Sequence, residues 1–171
     1  MKISCAIVQM NSGSNRDENL DRAGELVKKA AGSGAEIVAL PENFAFMREQ
    51  GDDSGTGESM DGPIISRARE IADRESIFLL AGSFPERSTP AGKVYNTSVL
   101  LGPEGEIIAT YRKIHLFDVE IPGGESHHES ERVLPGDKAV VAETPLGRMG
   151  LTICYDLRFG GLYQHLADLG A

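Results

Sequence analysis

Residues 2–40, KISCAIVQMNSGSNRDENLDRAGELVKKAAGSGAEIVAL, predict a strand, a helix and a second strand. The first stretch, Lys2 to Met10, is rich in Ile, Val and Cys and is typical of a buried strand. The helix has Asn15 or Asp17 available as its N-cap, and its apolar stripe follows helical spacing at Leu20, Ala23, Val27 and Ala30. Glu36 to Leu40 is then a second short apolar strand.

The same alternation continues further along the chain. Gly62-Pro63 opens a second helix, because proline suits the first helical position, and its apolar face is Ile64, Ala68, Ile71 and Ala72. Ile77 to Phe84 is a third predicted strand. The order strand, helix, strand, helix, strand favours a layered α/β sheet with parallel pairing.

The second half of the sequence predicts two hairpins around a long loop. Asn96 to Leu101 and Glu106 to Tyr111 flank a Gly-Pro-Glu-Gly turn, and Ala139 to Glu143 and Arg148 to Cys154 flank a Thr-Pro-Leu-Gly turn. Between the hairpins, Arg112 to Lys138 is long and irregular, which is typical of a functional loop. The chain closes on a short helix marked by Leu162, Leu166 and Leu169.

Composition limits the classes of partner and compartment. The 171 residues suit one domain, spanning 1–171, and the net charge of −9 argues against nucleic acid or an anionic membrane surface as a partner. No run approaches the roughly 20 apolar residues of a membrane helix. With only two cysteines, a disulfide framework is not expected, and we interpret the protein as cytoplasmic.

Three side chains could form a reactive site. Cys154 ends an apolar strand just before a helix, where backbone N–H groups can receive an oxyanion and a nearby cation would favour the thiolate. Glu42 follows the second strand, at the sheet edge where ligands bind, and could shuttle protons. Lys113 follows the first hairpin and could stabilise an oxyanion. Taken singly, a buried structural cysteine and two solvated charges are the ordinary alternatives, and Cys5 is assigned that buried structural role.

Other polar clusters give weaker signals. Adjacent His127 and His128 cannot easily face one ion, and no third ligand has motif spacing, so no metal is predicted. His115 and His165 lack triad partners at recognisable spacing. The sequence has no glycine-rich phosphate loop, and no cofactor is predicted.

Three segments together resemble the carbon–nitrogen hydrolase (nitrilase) superfamily. They are Leu40-Pro41-Glu42-Asn43-Phe44, Tyr111-Arg112-Lys113-Ile114-His115-Leu116-Phe117-Asp118, and Gly150-Leu151-Thr152-Ile153-Cys154-Tyr155-Asp156-Leu157-Arg158-Phe159. Tyr95-Asn96-Thr97 and Pro135-Gly136 also look like family positions. Three motifs in the family's order make this resemblance specific, and it covers the chain from end to end.

The resemblance implies an αββα sandwich of four layers with two central sheets, and a homodimer in the full-length form. It implies that Cys154 attacks an amide carbon, that Glu42 is the general acid and base, and that Lys113 stabilises the oxyanion with the backbone N–H of Tyr155. A second glutamate often supports such sites, and Glu129 is the best match for it. The implied substrate is a small-molecule amide and the product is ammonia.

Within the superfamily, residues 112–123 are most similar to the Nit-type amidases, which act on ω-amides of small dicarboxylic acids. Asn43 to Met47 favours a deaminated glutathione amidase-like activity over an ω-amidase. The alternatives are an N-carbamoyl hydrolase or nitrilase using the same three residues, or a catalytically silent interaction module.

Two features depart from the family pattern. Gly160-Gly161 follows the nucleophile motif where the branch has Pro-Glu, which loosens the start of the next helix. Family members are also longer, so we interpret 1–171 as the N-terminal portion of a domain that is incomplete at its C-terminus, with an open sheet edge.

Overall fold

The computed structural model of the chain describes residues 2–47, 57–89, 92–124 and 126–171. In order, the elements of its first half are β1 (Cys5–Ile7), α1 (Arg16–Gly32), β2 (Ile37–Ala39), α2 (Pro63–Glu75), β3 (Phe78–Leu80), β4 (Phe84–Arg87) and β5 (Val94–Leu101). The second half holds β6 (Ile107–Arg112), β7 (Asp118–Val119), β8 (His127–His128), a 3-10 helix (Glu129–Glu131), β9 (Val133–Leu134), β10 (Val141–Thr144), β11 (Gly147–Gly150), a second 3-10 helix (Cys154–Arg158) and α3 (Gly160–Asp168).

The main sheet contains seven strands among the described residues, in the order β1-β2-β3-β5-β4, with β6 and β9 also paired to β5. The pairs β1–β2 and β2–β3 are parallel, as the alternation of strands and helices predicts. The β5–β6 pair is the predicted antiparallel hairpin. Its turn closes with Gly105 in a left-handed conformation at φ 72°.

Both predicted helices of the first half are confirmed. Asn15 caps α1 by accepting a hydrogen bond from the N–H of Glu18, and Leu20, Ala23 and Val27 are buried. Pro63 begins α2, and Ile64, Ile65, Ala68, Ile71 and Ala72 are buried on its apolar face. The two helices therefore cover one face of the main sheet through a single hydrophobic cluster.

A second, smaller cluster lies on the other face of the main sheet. It joins Leu100 and Tyr111 of the main sheet to Ala142, Leu151 and Ile153 around the antiparallel hairpin β10–β11. Helix α3 packs on that hairpin, and a Cβ at Gly150 would lie 3.1 Å from Leu166. The layers thus run helix, sheet, sheet, helix, which is the predicted αββα order, with the second sheet represented by β10–β11.

Alternation along β5 separates the two clusters. Val99 and Leu101 face α1 and α2, whereas Leu100 faces the hairpin, because successive side chains of a strand point to opposite faces. Among the residues that the structure describes, no helix has the length and apolar character to cross a membrane.

Three sequence predictions about strands are wrong in part. The N-terminal strand is short and lies at the sheet edge, and Cys5 and Ile7 are exposed rather than buried, because they point to the face opposite Ala6, which the described residues do not cover at β1. The strand predicted over Ile77 to Phe84 divides into β3 and β4 around Gly82. The second hairpin is shorter than predicted, because residues 151–153 lie beyond β11.

Candidate active site

Glu42 is held at the end of β2 by backbone contacts to the β3–β4 bend. The N–H of Asn43 donates to the hydroxyl of Ser83 at 3.0 Å, and Asn43 has a φ of 54°. Gly82, at φ 34°, lies so close to the Pro41 carbonyl that a Cβ would overlap it. Glycine at this position therefore allows the Pro41-Glu42 turn to pass against the sheet and present the carboxylate.

Lys113 is buried, with 2% of its side chain exposed, directly after β6. Its backbone N–H donates to the Asn96 carbonyl at 2.9 Å, and its own carbonyl accepts the N–H of Gly136 at 2.8 Å. A Cβ at Gly136 would overlap the Arg112 carbonyl. The Pro-Gly pair of the long loop thus fixes the backbone that carries the lysine.

The Lys113 ammonium lies between two carboxylates. Its Nζ is 3.1 Å from Glu42 Oε1 and 2.9 Å from Glu129 Oε2. Glu129 belongs to the first 3-10 helix, and its Oε2 also accepts the backbone N–H of Phe117 at 2.6 Å. The structure thus brings the sequence-predicted Glu42, Lys113 and Glu129 into one cluster.

Cys154 begins the second 3-10 helix in a left-handed conformation, with φ 46°. A non-glycine residue in this region is strained, and such turns occur where a nucleophile must be presented at a sharp strand-to-helix junction. The residue is exposed, and its thiol lies near enough to Glu42 for that carboxylate to shift the thiol pKa. The cysteine therefore joins the same cluster.

A buried carboxylate, Asp156, supports the turn from below. Its Oδ2 accepts the Tyr111 hydroxyl at 2.7 Å and the Ile153 N–H at 3.0 Å. Its Oδ1 lies 3.0 Å from the His115 N–H and 2.8 Å from His115 Nδ1. Burial, then the hydrogen bond and charge of Asp156, raise the pKa of Tyr111 far above its ordinary value, so the phenol stays a donor. The carboxylate thereby ties the cysteine turn to the segment that carries Lys113.

Aromatic rings pack around the other side of the turn. The Tyr155 ring meets Phe117 and Phe159 edge to face, with centroids 5.0 Å and 5.4 Å apart, and His115 stacks on Phe159 at 3.7 Å. Tyr155 is the second residue of the 3-10 helix, where backbone N–H groups are not used by the helix itself. Its predicted use as an oxyanion donor is compatible with this position and stays a prediction.

The charges of the cluster shift the pKa values of Lys113 and Cys154. Burial acts to lower the pKa of Lys113, but the hydrogen bond to Glu129 and the charges of both carboxylates outweigh it, so the net pKa is raised and the lysine is a cation. Burial, followed by the charge and hydrogen bond of Glu42, raises the pKa of the Cys154 thiol.

The second effect corrects a sequence prediction. A nearby cation was expected to favour the thiolate, and Lys113 does lower the thiol pKa, but burial and Glu42 act more strongly in the other direction. The raised pKa favours the protonated thiol, so the proton must leave before the sulfur attacks as a thiolate.

A cavity of about 250 Å³ meets this cluster at Asn96 and Glu129. Its remaining lining residues are Asn43, Phe46, Met47, Pro85, Val94, Tyr95, His128, Arg132 and Val133. Glu42, Lys113 and Cys154 do not line it, so the cavity borders the reactive cluster rather than enclosing it. Its size suits a small organic molecule.

Sequence reasoning missed two parts of the site. His115 has no triad partner at recognisable spacing in the sequence, and the fold pairs it with Asp156, 41 positions away, a contact that no sequence spacing indicates. Asn96 was noted only as a family position, although its Nδ2 donates to Glu42 Oε1 at 2.8 Å. In the described ranges, no group of three or more His, Cys, Asp or Glu side chains is placed to hold a metal ion.

Comparison with known proteins gives consistent matches. Residues 4–171 match the family model described as Carbon-nitrogen hydrolase. The human protein Omega-amidase NIT2 is 41% identical over 165 residues, which cover 96% of this chain and 59% of that protein. Deaminated glutathione amidase from Synechocystis sp. is also 41% identical, over 97% of this chain and 62% of that protein. The chain thus spans about three fifths of the length of these curated relatives.

The folds of two solved structures are also similar to the fold of this chain. Nit3 from Saccharomyces cerevisiae, described as a member of branch 10 of the nitrilase superfamily, superposes with a TM-score of 0.83 at 30% identity, over 99% of this chain and 61% of that one. The NitFhit protein of C. elegans gives a TM-score of 0.85 at 30% identity, over 100% of this chain and 43% of that one.

Proposed function

The chain belongs to the carbon–nitrogen hydrolase family, and we propose that it carries the catalytic residues of an amidase that cleaves a small carboxylic acid amide through a cysteine thioester. The observation that carries this proposal is the cluster itself. The thiol of an exposed cysteine on a strained turn, a carboxylate whose charge acts on that thiol and a buried ammonium against the same carboxylate supply a nucleophile, a base and an oxyanion partner.

The first half-reaction forms the thioester. Glu42 takes the proton from the Cys154 thiol as sulfur attacks the amide carbon, and the carbonyl oxygen gains the negative charge. Lys113 stabilises that oxyanion, together with the backbone N–H of Tyr155. When the C–N bond breaks, Glu42 gives the proton to the departing nitrogen, which leaves as ammonia.

The second half-reaction clears the thioester. Glu42, again a carboxylate, removes a proton from water, and the resulting hydroxide attacks the acyl carbon. The tetrahedral intermediate collapses to the carboxylic acid as the C–S bond breaks, and Glu42 returns its proton to the Cys154 sulfur. Glu129 has a supporting role, because its contacts with Lys113 and the Phe117 N–H hold the ammonium in place.

Names and identities of the relatives support a Nit-type substrate. The 41% identity to an omega-amidase equals that to a deaminated glutathione amidase, so identity does not separate the two. We keep the deaminated glutathione amidase type as the proposed activity, on the sequence of residues 43–47. We also propose a cytoplasmic protein that forms a homodimer at full length and does not bind nucleic acid.

Ammonia release tests the function. Deaminated glutathione and α-ketoglutaramate are the substrates, with an N-carbamoyl amino acid and a nitrile as comparisons. Cys154→Ala is expected to abolish release, whereas Cys5→Ala, a matched change of the other exposed cysteine, retains it. A folded chain that releases no ammonia from either amide would contradict the proposed activity, and preference for the carbamoyl or nitrile compound would reassign the substrate class.

A further inference from the structure

Asn96 lies in β5 and contacts both Glu42 and Lys113. Its Nδ2 donates to Glu42 Oε1 at 2.8 Å, and its backbone carbonyl accepts the N–H of Lys113 at 2.9 Å. The residue is 6% exposed. One asparagine thus sets the position of the carboxylate through its side chain and of the lysine through its backbone.

The orientation of the Asn96 amide is fixed by its partner. An ionised carboxylate can only accept hydrogen bonds, so the NH2 group and not the oxygen must face Glu42. The consequence is that Asn96 Oδ1 is buried without a hydrogen-bond partner among the residues that the structure describes. A buried polar atom left in that state costs about 1–3 kcal/mol. An aliphatic side chain would avoid this cost, so a role in packing does not explain an amide here.

Both donors to Glu42 bind the same oxygen. Lys113 Nζ lies 3.1 Å from Oε1, and Asn96 Nδ2 lies 2.8 Å from it. Two donors on one oxygen restrict the rotation of the carboxylate and leave Oε2 without either of them. The amide does this without adding a charge, so the cluster keeps one ammonium between two carboxylates.

We propose that Asn96 is the positioning residue for the general base, holding the Glu42 carboxylate so that its second oxygen faces the Cys154 thiol. The inference rests on the proposed role of Glu42 as that base. Asn96 acts through Glu42 and takes no part in bond making. Loss of the positioning lowers the rate of the steps in which Glu42 moves a proton and leaves substrate binding largely unchanged.

The neighbouring residue provides a matched control. Thr97 is also buried in β5, and its hydroxyl donates to a different glutamate, Glu86, at 2.7 Å. Asn96→Ala is expected to lower kcat about 30-fold with KM changed less than about threefold. Asn96→Asp keeps the size but replaces the donor by a third carboxylate in the cluster, and it is expected to lower kcat at least about 100-fold. Thr97→Val is expected to lower the thermal midpoint and keep kcat within about twofold.

Wild-type kcat in Asn96→Ala would overturn the inference, and so would an equal fall of kcat in Thr97→Val, since the effect would then be structural. The expected split, with kcat reduced only in the Asn96 variants, supports it.

A second readout does not need turnover. The groups whose charges reach the Cys154 thiol are Glu42, Glu129 and Lys113, and Glu42 raises the thiol pKa. If Asn96→Ala frees Glu42 to move away, iodoacetamide should alkylate Cys154 about threefold faster at pH 7.5, in a Cys5→Ser background. If the wild type releases no ammonia, the proposed function fails. The alkylation rates then test on their own whether Asn96 positions Glu42. Faster alkylation in Asn96→Ala but not in Thr97→Val supports the positioning role, and equal rates in all three chains overturn it.

Discussion

Two ion pairs lie side by side at β5 and β6, each with one buried charge, and they are built differently. Arg112 binds Glu86 through two hydrogen bonds, 2.8 Å and 2.6 Å long, and Thr97 adds a third. The adjacent residues contact Glu42 instead: Asn96, which precedes Thr97 in β5, and Lys113, which directly follows β6. Neighbouring residues in two paired strands thus support two separate glutamates.

The difference between the two pairs lies in how completely their charges and hydrogen bonds are satisfied. Burial acts to raise the pKa of Glu86, but the hydrogen bonds from Arg112 and Thr97 outweigh it and lower the net pKa. The pair has one charge of each sign. The Glu42 cluster instead has two carboxylates on one ammonium, an amide oxygen with no hydrogen-bond partner among the described residues, and a nearby thiol with a raised pKa. The first arrangement stabilises the fold, whereas the second holds groups whose protons can move.

The largest expected effect follows from removing the shared cation. Lys113→Met leaves Glu42 and Glu129 facing each other in a partly buried site, so we expect the free energy of unfolding to fall by about 3 kcal/mol. Ammonia release should fall at least about 1000-fold, because the oxyanion partner is lost as well. Urea unfolding and the ammonia assay measure the two effects. Retained turnover would remove Lys113 from the mechanism.

The support beneath the nucleophile is expected to give the next largest effect. Asp156→Asn replaces one acceptor oxygen by an NH2 group that faces existing donors, so it should lower stability by about 2 kcal/mol. The Cys154 turn should lose its position, with kcat about tenfold lower. Tyr111→Phe is the milder control, since it removes one donor and leaves the carboxylate in place. Stability lost with kcat unchanged would make Asp156 purely structural.

Arg112→Met tests most directly whether the Glu86 pair and the Glu42 cluster act independently. It leaves Glu86 buried without its cation, and we expect about 2 kcal/mol less stability. Under conditions where the variant is folded, kcat should stay within about threefold of wild type, because Arg112 contacts Glu86 and not Glu42. A loss of kcat as large as that of Lys113→Met would show that the two pairs act as one network.

The smallest expected effect is a pH dependence of the Glu86 pair. Its folded-state pKa is lowered, so its stabilisation is fully present above the ordinary carboxyl pKa of about 4.3 and is lost as pH falls through the folded-state value. The difference in unfolding free energy between wild type and Glu86→Gln should therefore be larger at pH 7 than at pH 3. Urea titrations at the two pH values measure this difference. An unchanged difference would contradict the lowered pKa.

Local patterns were sufficient to predict most of the fold. Helical spacing and caps predicted α1 and α2, and the Gly-Pro-Glu-Gly turn predicted the β5–β6 hairpin. Motif order gathered Glu42, Lys113 and Cys154 as site candidates. These features depend on residues close in sequence or on a resemblance that covers the whole chain.

The parts that sequence did not predict depend on distant contacts. Asp156 forms hydrogen bonds with His115 and Tyr111, which lie more than 40 positions away in the sequence. No sequence spacing predicts these contacts. The sign of the thiol pKa shift was missed because burial and the distance to Glu42 decide it. Exposure of Cys5 was missed because a short apolar run does not show whether both faces of its strand are covered by other elements.

The most direct test of the central claim is the acyl adduct on Cys154. The chain is mixed with an amide substrate, quenched in acid within the first turnover and analysed by intact-mass and peptide mass spectrometry. We predict a mass increase equal to the acyl group, carried by the peptide that contains Cys154, abolished by Cys154→Ala and unchanged by Cys5→Ser. Ammonia release that persists in Cys154→Ala, or an adduct carried by any other residue, would contradict the account.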